Sequence, residues 1–311
     1  MRPRRTLAVF ALLGSCVTPQ KTQRLEIALT IDDLPVHGPI PADETPLSVT
    51  SGIIAALTHG RVPAYGFVNA HWTAEQPDTL DVLKAWRAAG LDLGNHTWAH
   101  RHLSEMALAE FDGEVARNEG VLRQLAGSSD WRWFRYPFLD EGKDAAQRDG
   151  ARHILATRAY KIAAVTMDFS DWQWTAPYAR CRAAGDEQAI SELERMYLQA
   201  GREGIGYSRE LSHKLFGRDN PYVVLLHDSA FEARMLPRLI DLYRSAGFRF
   251  VSLPHAEQDS AYADQVQPEL PAKPQGLELK AIARGVDLPK RTDYSRALAT
   301  ICSPAPSAPR P

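Results

Sequence analysis

Cysteine is scarce in this 311-residue chain: Cys16, Cys181 and Cys302 are the only three, and none has the close partner spacing of a zinc knuckle. An excess of one charge is also missing. Lys and Arg total 36 against 38 Asp and Glu, a net charge of -2, and no basic stripe runs along the chain. Phosphate tracking needs such a stripe, so nucleic acid is excluded as a partner. No internal repeat stands out. No Gly-x-Ser-x-Gly elbow is present, so His227-Asp228-Ser229 does not read as a serine-hydrolase site. The apolar stretch Leu7 to Leu13 is too short to span a bilayer stably. What remains, 44% hydrophobic and 24% charged residues, is ordinary for a globular protein, and the length suits one large α/β domain with trimmings or two small ones.

The first residues read as an export signal rather than as part of the fold. Arg2, Arg4 and Arg5 precede the apolar stretch, and Gly14-Ser15-Cys16 follows it. Leu13-Gly14-Ser15-Cys16 resembles the lipobox of bacterial lipoproteins, whose cysteine carries lipid, with ordinary cleavage as the alternative. The expectation is therefore a signal peptide over 1–16, a linker over 17–24, and a protein that is periplasmic, an outer-membrane lipoprotein, or secreted. A lipid anchor on Cys16 would be its one link to a membrane. Cys181 and Cys302 then remain as the thiols of an oxidising compartment and are expected to bridge, pinning the C-terminal segment to the domain.

From Leu25 onward, short apolar runs alternate with helical periodicity. Strands are expected at Leu25–Ile31, Ala64–Val68, Trp131–Tyr136, Ile162–Met167, Tyr222–Leu226 and Phe248–Leu253, with Leu91–Gly94 leading into a histidine cluster. Helices are expected at Ser48–Leu57, Leu80–Ala89, Leu108–Leu125, Ala145–Ala156 and Ala233–Ser245. Asp186 to Phe216 is polar and helical, and its charged part, Arg202 to Arg218, reads as a solvated insertion, with one wall of the cleft as the alternative. About seven strands with helices between them form the pattern of a parallel α/β sheet built from right-handed crossovers. The pattern fades beyond Pro254. Residues 255–311 read as an extension ending in a disordered Pro-rich tail.

The polar clusters fall just after the strands, where the loops of a β/α barrel converge over its mouth. Thr30-Ile31-Asp32-Asp33 closes the first run, and two adjacent carboxylates at a buried strand end need a cation. His96 and His100 are four apart, which suits one side of a strand or one helical turn. With a carboxylate from another strand end they become a two-His, one-carboxylate site that leaves positions open for water and substrate. Asp33 is the candidate carboxylate, and Asp32 would stay off the metal as general base.

In order, the clusters Thr30-Ile31-Asp32-Asp33, His96-Thr97-Trp98-Ala99-His100, Arg135-Tyr136-Pro137-Phe138, Asp168-Phe169-Ser170-Asp171-Trp172 and Leu225-Leu226-His227 resemble the five motifs of the polysaccharide deacetylases of the NodB-homology type, carbohydrate esterase family 4. The resemblance covers roughly residues 25–254. It implies a distorted (β/α) barrel of about seven parallel strands and metal-dependent hydrolysis of N- or O-acetyl groups on a glycan. It also implies one divalent ion, zinc with cobalt, nickel or manganese as alternatives, held by Asp33, His96 and His100. Asp32 matches the family's base and Arg135 the arginine that aims it. Asp171 matches the carboxylate that orients His227, and His227 the acid that protonates the leaving group. The backbone N–H of Phe138 falls where the oxyanion is held, and Trp172 and Leu225 match the walls of the acetyl pocket. Leu139 stands where the family usually has Gly, while Leu34-Pro35 and Trp98 are further departures expected to reshape the cleft.

The other histidines, His37, His59, His71, His102, His153, His213 and His255, lack metal spacing and read as surface or capping groups. Two rivals remain: a metal-dependent C–N hydrolase acting on a small amide, and a glycan-binding barrel without catalysis.

Overall fold

The structure, a computed structural model, describes residues 24–271 and 273–303. The expected signal segment with Cys16, and the Pro-rich residues 304–311, lie outside the described residues. Among the described residues there are seven strands: β1 (Leu25–Leu34), β2 (Ala64–Val68), β3 (Asp92–Asn95), β4 (Trp133–Phe134), β5 (Lys161–Ile162), β6 (Tyr222–His227) and β7 (Phe248–Phe250). All pair in parallel, in the order β5-β4-β3-β2-β1-β6, with β7 also on β1. An isolated bridge from Met167 to Val224 curls the sheet toward closure. This is the barrel-like α/β fold expected from the alternating pattern.

β1 lies at the centre because it is long and apolar. Its residues Ile27, Ala28, Leu29 and Ile31 are fully buried, and burying each large aliphatic side chain contributes roughly 1.5–3 kcal/mol. Its first residues face β7 and its later ones face β6, so Asp32 is level with His227. The outer layer is helical, and several of its helices carry side-chain N-caps. Thr45 and Ser48 form a reciprocal box at the start of helix Pro46–Gly60, and the Ser229 hydroxyl accepts from the Glu232 N–H at the start of helix Ala230–Ser245.

Two expectations need correction. The run Ile162–Met167 is regular only at its start. β4 ends at Phe134 and the chain turns away at Pro137. Left without a partner beyond Ala163, the run crosses to β6, where Thr166 and Met167 donate to Val223 O. Arg202 to Arg218 is no solvated insertion. Most of it continues the 30-residue helix Glu187–Phe216, whose Gly204, Tyr207, Ser208 and Leu211 are buried. A Cβ on Gly204 would lie 3.1 Å from the Cβ of Phe169, so glycine is what permits this close approach.

The segment after Pro254 packs onto the barrel. Helix Gly276–Ala283 lies along helix Glu187–Phe216. Helix Ser295–Thr300 is tied down by the Cys181–Cys302 disulfide, with Cα atoms 5.1 Å apart, the bridge expected from the sequence. Arg180 reinforces it by donating to Leu298 O and Ile301 O. Apolar anchoring, which the composition did not suggest, comes from buried Leu298 and from Tyr294 against Trp174, ring centroids 5.6 Å apart.

Candidate active site

Most candidate side chains lie at or just past the end of a parallel strand, with Asp171 and Trp172 opening a short turn beyond the crossing of residues 163–167, and several of the loops turn sharply. Asp33, Thr97, His100, Phe138, Leu139 and Ser170 all have left-handed backbones. Non-glycine residues adopt this conformation at a cost and only where the surroundings impose it. Asn95 shows how. Buried at the end of β3, it accepts from the Thr97 N–H and from Asn118, and donates to Val115 O and to the Tyr160 hydroxyl. Every polar atom of its amide is used, and the His96 turn is fixed.

His96 Nδ1 lies 2.8 Å from Arg135 O, leaving Nε2 turned toward the carboxylates. Asp33 Oδ1 lies 3.4 Å from His96 Nε2 and 3.2 Å from His100 Nε2. That oxygen is buried, close to both nitrogens and hydrogen-bonded to neither. A buried acceptor without a partner is costly, and two imidazole nitrogens beside it complete a divalent-metal ligand set. Burial pushes the Asp33 carboxyl up, but a hydrogen bond with His37 and nearby His96, His100 and His227 outweigh it and hold it well below the usual carboxylate range. Burial brings His100 down to about 4, so its imidazole is neutral at pH 7, the form that ligates. Asp33, His96 and His100 therefore fit a divalent ion.

Asp32 lies beside this set, its Oδ2 3.7 Å from His96 Nε2. Arg135 is fully buried. Its Nη1 donates to both Asp32 oxygens at 3.2 and 3.3 Å, its Nε to Ala163 O and its Nη2 to the Thr30 hydroxyl. On the other side, His227 Nδ1 lies 2.8 Å from Asp171 Oδ1, and the His227 N–H donates to Asp171 Oδ2. Burial lowers His227, but its pairing with Asp171 prevails and pushes it up to about 10. His227 is thus a proton donor at neutral pH, with Nε2 available.

Seven of the ten expected site residues converge here: Asp32, Asp33, His96, His100, Arg135, Asp171 and His227. Phe138 sits at the rim, 54% exposed, its ring 4.3 Å from that of His100. Trp172, 49% exposed, follows Asp171 at the surface, while Leu225 is buried in β6 two residues before His227. Two histidines read as surface groups belong to the site instead. His37 Nδ1 lies 2.6 Å from Asp33 Oδ2. His102 stacks on Phe138 at 3.7 Å and sits 3.2 Å from Asp140. The only sequence signal for His37 was its spacing of four from Asp33, and for His102 its closeness to the His96–His100 pair. Trp98 turns away from the cleft into the core, under the Arg117 guanidinium at 4.2 Å. A cavity of about 560 Å³ adjoins Arg135 and Asp168, with Leu139, Glu141, Tyr207 and Ile282 in its walls. Burial pushes Glu141 up to about 7.

Residues 20–154 match the family described as polysaccharide deacetylase. This part of the chain is similar to the polysaccharide deacetylases. The chain is 26% identical over 238 residues to a chitin deacetylase of Colletotrichum lindemuthianum, covering 75% of this chain and 80% of that one. It is also 30% identical over 152 residues to a chitooligosaccharide deacetylase of Bradyrhizobium sp. (strain ANU 289), 49% of this chain and 59% of that one. Solved structures share the fold. A carbohydrate esterase family 4 pseudoenzyme of Bacillus anthracis matches with a TM-score of 0.51 and 17% identity, over 75% of this chain and 65% of that one. A peptidoglycan N-acetylglucosamine deacetylase matches with 0.50 and 21%, over 76% and 90%. The fold thus occurs both in a protein described as a deacetylase and in one described as a pseudoenzyme, so the fold alone does not carry the activity.

Proposed function

We propose that this protein is a polysaccharide deacetylase: an exported, metal-dependent hydrolase that removes N- or O-acetyl groups from a polysaccharide. One observation carries this: the buried, unpartnered Asp33 Oδ1 beside two imidazole nitrogens, flanked by an aimed carboxylate and a charged histidine. Zinc, or a similar divalent ion, held by Asp33, His96 and His100 would supply Lewis-acid activation. The chain's own residues supply the proton chemistry. Asp32, fixed by Arg135, takes a proton from the water that attacks the acetyl carbonyl. His227, oriented by Asp171, gives its Nε2 proton to the leaving nitrogen or oxygen as the bond to the acetyl carbon breaks. Acetate and a free amine or hydroxyl result. The Phe138 N–H stabilises the oxyanion, and Trp172 and Leu225 receive the methyl group. The Cys181–Cys302 bridge supports export, since such bonds persist in oxidising compartments.

The test is acetate release from a panel of acetylated glycans and small acetamides, before and after chelation and after adding zinc back. Release from a glycan, lost on chelation and restored by zinc, is expected. Release from small amides alone would make the protein a small-amide hydrolase. Glycan binding without release would make it a non-catalytic barrel.

A further inference from the structure

We propose that His37, which lies outside the five motifs, is a positioning residue that locks the Asp33 carboxylate and so sets the metal affinity of the site. This rests on Asp33 being a metal ligand. Asp33 emerges from a left-handed backbone at the end of β1. Such a residue has no ladder partner to steer its side chain, and a freely rotating carboxylate would lose affinity. His37 removes that freedom. Its Nδ1 holds Asp33 Oδ2 at 2.6 Å, which leaves Oδ1 to face His96 and His100. An ionised carboxylate only accepts, so Nδ1 is the donor.

His37 is itself held by the ends of two central strands. Val36 N donates to Asp33 O at 2.8 Å, closing a tight turn, and His37 N donates to Asp228 O at 2.7 Å. Asp228 is fixed in turn: its N–H donates to Asp32 O, and its Oδ2 accepts from the Thr50 hydroxyl at 2.8 Å. The next residue, Gly38, is left-handed and lies against Thr175; a Cβ there would come within 2.7 Å of Thr175 Cγ2. The His37 ring rests 4.7 Å from that of His227. One imidazole thus fixes the ligand carboxylate and packs against the proton donor.

Asp33, His37 and His227 are also close enough to form a second ligand set. The geometry favours positioning, because Asp33 Oδ2 is already paired with His37 Nδ1, whereas the unpartnered Oδ1 lies toward His96 and His100. Hydrogen bonds to ligating groups typically change metal affinity by about 10–100-fold when removed.

Zinc affinity and stoichiometry, measured by competition with a chromogenic chelator, test this without any substrate. His37→Ala should bind zinc about 10–100-fold more weakly. His37→Asn, which places an amide donor where Nδ1 was, should recover most of the loss. His37→Gln, whose donor reaches the Nε2 position, should not. The Asn–Gln difference keeps the test decisive if the alanine variant fails to fold. Unchanged affinity in His37→Ala, equal affinities for Asn and Gln, or two zinc ions per chain falling to one in His37→Ala would each overturn the proposal. His96→Ala separates this from the functional reading. If it abolishes binding while His37→Ala changes nothing, only the proposal fails; if it binds zinc like the wild type, the metal site falls and the proposal with it.

Discussion

Asp32 and Asp33 are neighbours in sequence with different partners in space. One meets a buried guanidinium, the other three imidazoles. Their roles separate accordingly. Asp32→Asn keeps the shape and the ligand set, so it should retain zinc and lose turnover by about 10²–10⁴-fold, checked by metal analysis beside acetate release. His227 gives a pH prediction for the metal-free protein. Its folded value, about 10, lies above the ordinary value near 6.5, so its pairing with Asp171 stabilises fully below about 6.5 and is lost as pH rises toward 10. Thermal melts should show stability declining over that window, with a smaller decline in His227→Gln. An equal slope in both would remove the pair as its cause. At this scale, the sequence revealed the groups whose chemistry demands company: adjacent carboxylates, paired histidines, and an arginine just past a strand. His37 and His102 escaped because each reaches the site through a loop that doubles back, and loop paths leave no periodic trace.

Among the elements, the alternation of strand and helix was legible because period-2 and period-3.6 patterns reflect burial directly. The crossing of residues 163–167 to β6 was not, since the same apolar run suits either neighbour. Helix Glu187–Phe216 was half hidden: its charges suggested solvent, while its buried face carries small residues such as Ala200, Gly201, Gly204 and Ser208. The contrast is testable. Gly204→Leu would press into Phe169 and should cost about 1–3 kcal/mol in urea unfolding. Gly206→Ala meets nothing within 4 Å and should be neutral or stabilise by up to about 1 kcal/mol. Similar gains for both would mean that helix propensity, not packing, governs the segment. Leu139 shows the reverse relation. Where the family usually has glycine, the third loop keeps a left-handed turn at φ 53° with a side chain attached, and that leucine becomes part of a cavity wall.

At the scale of the whole molecule, residues 255–271 and 273–303 pack around the mouth of the barrel. Arg291 donates to Asp168 O, Tyr294 packs on Trp174, and the disulfide closes a span of 121 residues. For a loop that long, the chain-entropy treatment gives about 4–5 kcal/mol, so Cys302→Ser should lose an amount of that order in reversible denaturation. Non-reducing mass mapping of the wild type should recover the bridged peptide pair. The bridge was legible from the count of thiols, whereas the packing beneath it was not, because few apolar residues carry it. β1 has a different consequence, for how the protein comes into being. It meets β2 early, but the Thr30 hydroxyl bonds to Val224 O, 194 residues further along the chain. A ribosome releases the centre of this sheet long before its second neighbour exists. Until β6 is made, β1 presents an apolar, unpaired edge, the kind of surface that recruits other chains. Synthesis interrupted after Phe216 would therefore yield an aggregation seed rather than a smaller working domain, and the intact chain should fold slowly, waiting on its last third.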